Sequence, residues 1–167
     1  LILYEMHPKK PSFEYLEIAD ILIESLNTAR STLNDHNTPV TIEVHPETPK
    51  VYADRRGLSL ALRALIENAF KYSPANAPIA IEVGTLGDDE VIISVTDNGI
   101  GIDVANQARL FEPFFRLEKE ESAPTLYPGL GIGLTIAKFV LDRHNGRIDI
   151  KSTPGLGSTF SLCLPRK

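Results

Sequence analysis

Residues 54–72, Asp54-Arg55-Arg56-Gly57-Leu58-Ser59-Leu60-Ala61-Leu62-Arg63-Ala64-Leu65-Ile66-Glu67-Asn68-Ala69-Phe70-Lys71-Tyr72, decide the fold. Leu58, Leu62, Leu65, Ile66 and Ala69 recur at three- and four-residue steps, so at about 100° per residue they fall on one stripe, and Asp54 stands where a helix cap belongs. An amphipathic helix of this kind must bury its stripe against a second layer. Its surroundings are rich in β-formers. Beyond the turn Ser73-Pro74-Ala75-Asn76-Ala77-Pro78, the runs Ile79 to Val83 and Val91 to Thr96, broken at Gly84 to Glu90, predict an antiparallel hairpin. Thr41 to Val44, Val51 to Ala53, Arg147 to Lys151 and Thr159 to Leu164 read as further short strands. Apolar residues Phe13, Leu16, Ala19, Ile23 and Leu26 predict a helix from Phe13 to about Leu33, capped by Ser12. A short helix is expected around Ala105 to Phe115 and another from Ile132 to about His144. Several strands beside three long helices, without strict βαβ alternation, give the class α+β: a two-layer α/β sandwich with a mixed, mostly antiparallel sheet of about five strands on three helices.

Composition narrows the function classes. The 167 residues are 43% hydrophobic and 23% charged, the range of one ordinary globular domain. A single cysteine, Cys163, excludes a disulfide framework or Cys-rich zinc site and fits a reducing compartment. With 17 Lys and Arg against 22 Asp and Glu, a net charge of −5 argues against a binder of duplex nucleic acid. No apolar run approaches the roughly 18 residues of a membrane-spanning helix, so no direct membrane contact is expected. Leu1 stands in place of an initiator Met, so a piece of a longer protein is expected. Residues 1–12, ending in Pro8-Lys9-Lys10-Pro11, read as a linker or tail, and 13–167 as the domain.

Glycines gather in Asp97-Asn98-Gly99-Ile100-Gly101, Gly129-Leu130-Gly131-Ile132-Gly133 and Gly155-Leu156-Gly157-Ser158-Thr159. Beside a helix start, glycines let the backbone approach a ligand, and the free N–H groups of the helix attract phosphate. Each cluster alone reads equally well as a loop. No Gly-x-x-x-x-Gly-Lys-[Ser/Thr] phosphate loop is present, and no strand precedes Gly129, which removes the P-loop and Rossmann folds. On the main helix Asn68, Lys71 and Tyr72 neighbour one another on one face. Asn68 at the edge of the apolar stripe fits either a satisfied core hydrogen bond or a ligand contact. Glu67 with Lys71 reads as a surface pair worth roughly 0.3 kcal/mol.

Taken in order, Glu67-Asn68-Ala69-Phe70-Lys71-Tyr72-Ser73, Asp97-Asn98-Gly99-Ile100-Gly101, Phe111-Glu112-Pro113-Phe114-Phe115-Arg116 and Gly129-Leu130-Gly131-Ile132-Gly133-Leu134 resemble the N, G1, F and G2 boxes of sensor histidine kinase catalytic domains. The match covers most of the chain. Gly155 to Phe160 with Leu164-Pro165 is similar to that family's closing strand. The resemblance implies the Bergerat fold of the GHKL superfamily, which includes type II topoisomerases and heat-shock chaperone ATPases, and binding of ATP with Mg²⁺.

The resemblance also implies roles. Asp97 would accept from the exocyclic amine of adenine, where the carbonyl oxygen of guanine would be repelled. Gly99, Ile100 and Gly101 would line the nucleotide. Asn68 would offer Mg²⁺ a carbonyl oxygen, Lys71 and Arg116 would meet phosphates, and Tyr72 would border the nucleotide. Gly129, Leu130, Gly131, Ile132, Gly133 and Leu134 would supply backbone N–H groups and a helix dipole. Either Ser158 or Thr159 would reach the adenine side of Asp97. A lid is expected between Phe111 and Pro128, based on Phe111, Phe114 and Phe115 as hydrophobic anchors, with Tyr127-Pro128 as a stiff hinge.

A kinase of this type needs an acceptor histidine, and none of His7, His36, His45 or His144 stands in the family's acceptor motif. The chain therefore reads as the ATP-binding half, a cytoplasmic domain and a monomer in isolation. Its implied partners are a histidine-bearing dimerisation domain of the same protein and a response regulator. The alternatives are a GHKL ATPase, an anti-sigma-type serine kinase and a non-enzymatic docking module. The ATPase reading needs a water-activating Glu one turn before Asn68, where this chain has Ala64.

Overall fold

The computed structural model describes residues 10–115 and 132–166. In chain order these form β1 (Phe13–Leu16), α1 (Ile18–Leu33), β2 (Val40–Val44), β3 (Val51–Asp54), α2 (Arg55–Tyr72), β4 (Ile79–Leu86), β5 (Glu90–Asp97), the single-turn α3 (Val104–Gln107), α4 (Gly133–Arg143), β6 (Arg147–Thr153) and β7 (Gly157–Pro165). Five strands make one sheet in the order β2-β4-β5-β7-β6, with β2 and β4 parallel and the other neighbours antiparallel. The two-layer α+β architecture is thus the one expected, with β1 and β3 paired in a separate two-stranded sheet.

Helix α2 lies in the middle of the helical layer, touching α1 on one side and α4 on the other and resting on β5. All five residues of its sequence stripe are buried, and Ala61 and Phe70 join them. They share one core with Ile81, Val83, Ile93, Val95 and Leu162 from the sheet. Each such leucine or isoleucine contributes about 2 kcal/mol by leaving water. Strand β5 alternates as a one-sided sheet must, with Val91, Ile93, Val95 and Asp97 buried and Ile92, Ser94 and Thr96 on the other face. That open face is closed by hydroxyl pairs, Ser94 with Ser161 at 2.8 Å and Thr96 with Thr159 at 2.9 Å.

Asp54 caps α2 as expected, its Oδ2 accepting from the Gly57 N–H at 2.8 Å. Its Oδ1 accepts from the Ser12 N–H at 3.1 Å, and its own N–H donates to His144 Nε2 at 3.0 Å. Because Nε2 accepts, Nδ1 carries the proton and donates to the Val140 carbonyl at 2.7 Å. The His144 ring also packs on Phe13, with centroids 4.9 Å apart. One buried histidine thereby ties the end of α4 to the start of α2 and to β1.

Two elements differ from the sequence expectation. The helix predicted from Phe13 begins only at Ile18, because residues 13–16 pair antiparallel with β3, Phe13 opposite Asp54 and Leu16 opposite Val51. Ser12 consequently caps nothing, and the buried stripe of α1 is Ile18, Ile21, Leu22, Ser25 and Ala29, leaving Ile23 52% exposed. The helix expected over Ala105 to Phe115 shrinks to α3, capped by Asp103. Tight turns follow, such as Glu112 N–H to Arg109 O and Phe115 N–H to Glu112 O. Pro113 cannot continue a helix, and Phe114 takes a left-handed φ of 65°. From residue 116 onward the expected lid, with its Tyr127-Pro128 hinge, lies outside the described residues.

Candidate functional site

Strand β5 delivers Asp97 to the inner face of the sheet at the point where the chain leaves it. The carboxylate is 3% exposed, and its Oδ1 accepts from the Gly99 N–H at 2.8 Å and the Ser158 N–H at 3.3 Å. No donor among the described residues reaches Oδ2. Burial pushes the Asp97 carboxyl above its ordinary pKa, and the two N–H bonds oppose that rise. One oxygen is therefore fixed by the backbone, while the other accepts no hydrogen bond from the described residues.

The loop after Asp97 is wedged between two backbones. A Cβ on Gly99 would overlap the Tyr72 carbonyl oxygen, and the Ile100 N–H lies 3.4 Å from that same oxygen. Gly101, at φ +69°, runs against the Thr153 carbonyl, and the Gly155 N–H donates to Ile100 O at 2.7 Å. The loop thus sits on the last turn of α2, which carries Asn68, Lys71 and Tyr72, all half-buried. The Asn68 amide makes no hydrogen bond with another described residue.

Helix α4 begins beside the same stretch of α2, with Ala64 Cβ 3.6 Å from the place a Gly133 side chain would occupy. Its cap residue Ile132 offers no side-chain hydrogen bond, and its first turn holds no Asp or Glu. The first turn of α4 itself carries no carboxylate to complement its positive end. Ile132, Gly133 and Leu134 are half-buried at this start. Arg116, Gly129, Leu130 and Gly131 lie outside the described residues.

Strand parity separates the two hydroxyl candidates. Ser158 is paired with Asp97 and alternates with the core residues Phe160, Leu162 and Leu164, so it faces inward and is 6% exposed. Thr159 bonds Thr96 on the open face and is turned away from Asp97, which removes it from the site. The apolar alternation from Phe160 to Leu164 carried that information in the sequence. Phe114 is also corrected: it is 73% exposed rather than an anchor, whereas Phe115 packs against the core under the Arg109 guanidinium, 4.5 Å from its ring. The Phe111 carbonyl is held by Thr135 Oγ1 of α4 at 2.9 Å. Glu67 pairs backward with Arg63, 3.4 Å away, and Lys71 reaches it only as a nearby charge. Burial raises the Glu67 pKa more than those two cations lower it.

Known proteins resemble this chain in sequence and fold. Residues 53–167 match the family described as histidine kinase-, DNA gyrase B-, and HSP90-like ATPase. The sensor-like histidine kinase SenX3 of Mycolicibacterium smegmatis is 36% identical over 155 residues, covering 93% of this chain and 39% of SenX3. The adaptive-response sensory kinase SasA of Synechocystis is 33% identical over 150 residues, covering 90% of this chain and 38% of SasA. The chain thus spans under two fifths of the length of these relatives. Among solved structures, the mycobacterial sensor histidine kinase MprB superposes with a TM-score of 0.77 at 25% identity, over 92% of this chain and 97% of that one. Full-length ShkA gives a TM-score of 0.78 at 22% identity over 93% of this chain and 31% of its own, a likeness of fold.

Proposed function

Since the chain belongs to the histidine kinase-, DNA gyrase B- and HSP90-like ATPase family, we propose that it is the ATP-binding catalytic domain of a two-component sensor histidine kinase. It passes the γ-phosphoryl group of ATP to a histidine on a separate dimerisation domain, from which a response regulator takes it. The observation that carries this reading is the Asp97 carboxylate on a residue only 3% exposed, with Oδ2 taken by no donor among the described residues, beside a loop packed on the helix that bears Asn68.

In this reading Asp97 Oδ2 accepts from the 6-amino group of adenine, and Gly99, Ile100 and Gly101 bring the main chain against the base. Lys71 faces the phosphates as a compact positive charge, joined by Arg116 and by the N–H groups of Gly129 to Leu134 at the head of α4. Tyr72 borders the nucleotide. Among the described residues no group of three His, Cys, Asp or Glu is placed to hold a metal. A divalent ion would arrive with the triphosphate, and the Asn68 carbonyl, which takes no hydrogen bond from another described residue, suits a protein ligand to it. Mg²⁺ bound there would neutralise charge building on the transferred group. The residues of this chain supply position and electrostatics, while the nucleophile comes from the partner domain. Ala64 presents only a methyl group beside Gly133, one turn before Asn68, so no base stands there to activate water and transfer to a histidine is favoured over hydrolysis. No helix of the described residues is long and apolar enough to cross a membrane, and a cytoplasmic site of action follows from the supply of ATP.

Calorimetric titration with ATP and GTP in Mg²⁺ tests the binding half of the proposal. Saturable ATP binding without GTP binding is expected, and no heat at millimolar ATP sinks it. Labelled ATP mixed with this chain and a histidine-bearing dimerisation domain tests the transfer; release of free phosphate without labelled partner would favour the ATPase.

A further inference from the structure

Behind Ser158 stands a second hydroxyl that no motif marks. Ser152 of β6 is paired with Ser158 of β7, as Ser158 is with Asp97 of β5, so the three side chains form a row across the inner face of the sheet. Ser152 Oγ lies 2.7 Å from Ser158 Oγ, 2.8 Å from the Ile102 N–H and 3.1 Å from the Gly157 carbonyl oxygen. A hydroxyl has one proton and two lone pairs. One lone pair of Ser152 takes the Ile102 N–H, and its proton has only Gly157 O or Ser158 Oγ to go to. With the proton on Gly157 O, the second lone pair is left for the proton of Ser158, and all three contacts become hydrogen bonds. With the proton on Ser158 Oγ, the contact to Gly157 O is lost. The first arrangement makes one more bond, and in it Ser158 has given its only proton away.

We propose that Ser152 is a positioning residue for nucleotide selection: by taking the Ser158 proton it turns Ser158 into a hydrogen-bond acceptor on the same sheet face as its strand partner Asp97. This rests on the reading of the pocket as the adenine site. A 6-amino purine has two N–H bonds at that corner and meets two acceptors. A 6-oxo purine brings lone pairs against both. Selection is then shared between a carboxylate and a hydroxyl whose polarity is set from behind, rather than resting on the carboxylate alone.

The test compares calorimetric affinities for ATP and inosine triphosphate, which carries oxygen at position 6. In Ser152→Ala the Ser158 proton is released and can be donated to that oxygen. ATP affinity should fall roughly five- to tenfold and the ATP-to-inosine-triphosphate ratio by at least as much. Ser158→Ala should weaken ATP similarly, the double variant should be no worse than Ser158→Ala, and Ser152→Thr should restore the wild-type ratio. Circular dichroism checks folding, and Ser152→Cys, close in size but a poor hydrogen bonder, gives the same readout if the alanine variant does not fold. Equal loss of affinity for both nucleotides, leaving the ratio unchanged, would assign Ser152 a purely structural role and overturn the inference. Wild-type protein that binds neither nucleotide would instead overturn the adenine reading itself.

Discussion

Replacing Asp97 by Asn probes the pocket with almost no change of shape. The N–H groups of Gly99 and Ser158 both point at Oδ1 and require an acceptor there, so the amide oxygen takes that place and the amide nitrogen is forced into the position of Oδ2. A donor then faces the 6-amino donor of adenine. Losing a charge-assisted hydrogen bond costs about 1.5–3 kcal/mol, and leaving two desolvated donors opposed adds about 1–3 kcal/mol. At about 1.4 kcal/mol per decade, ATP affinity should drop on the order of 10²- to 10⁴-fold while affinity for a 6-oxo purine rises. Titration calorimetry with ATP and inosine triphosphate reads both. Acid supplies a second arm. Burial raises the folded pKa of Asp97, so wild-type affinity should decay on acidification at a higher pH than an ordinary carboxylate would give, and the Asn variant should lack that decay. Stability moves the other way. A carboxyl whose folded pKa lies above its unfolded one favours folding below the unfolded value, and that contribution is lost as pH rises through the folded value. An Asn variant that binds ATP within about threefold of wild type would refute the reasoning.

Three further outcomes test the frame around the site. Gly101→Ala should destabilise by roughly 3 kcal/mol or more in urea titration, since φ +69° is strained for Ala and the new Cβ meets the Thr153 carbonyl; Gly87→Ala, also left-handed at φ +61° but in open space, should cost only about 1–2 kcal/mol. Asp54→Ala removes the cap of α2 together with the Ser12 contact and should lower the urea-derived stability by about 1–2 kcal/mol. Burial pushes the Cys163 thiol up to about 11, so at pH 8 about one molecule in a thousand holds a thiolate, and a disulfide reagent should label it slowly until denaturant is added.

Local periodicity made α2 legible, because every apolar position of its stripe answers to one buried face. The same reasoning misread residues 13–16. Phe13 and Leu16 satisfy a helical step as well as a strand, and what decides between them is pairing with Val51 to Asp54, a long-range contact that no window spanning one element contains. That error also shifted the phase of α1 and put Ile23 inside when it faces water. At the site, residue types were legible and orientations were not. Asp97 was recognisable from its glycines, whereas choosing Ser158 over Thr159 needed strand parity counted from Phe160. Ser152 belongs to no motif and gains its meaning only from register with Ser158. The partner of Glu67 was missed because a helix offers two equivalent neighbours, at i−4 and i+4, and the sequence alone does not say that Arg63 is the one it pairs with.

The loop floor at Gly99, Gly101 and Gly157 is made of peptide groups, since any side chain there would strike the carbonyl oxygens of Tyr72, Thr153 or Asp97. Main-chain masonry of this kind is indifferent to most substitutions in the elements it joins. Drift on the outer faces of α2, β6 and β7 can retune docking or solubility while the contour of this floor stays put. On the proposed function, such a domain could be refitted to new partners without relearning which nucleotide to accept.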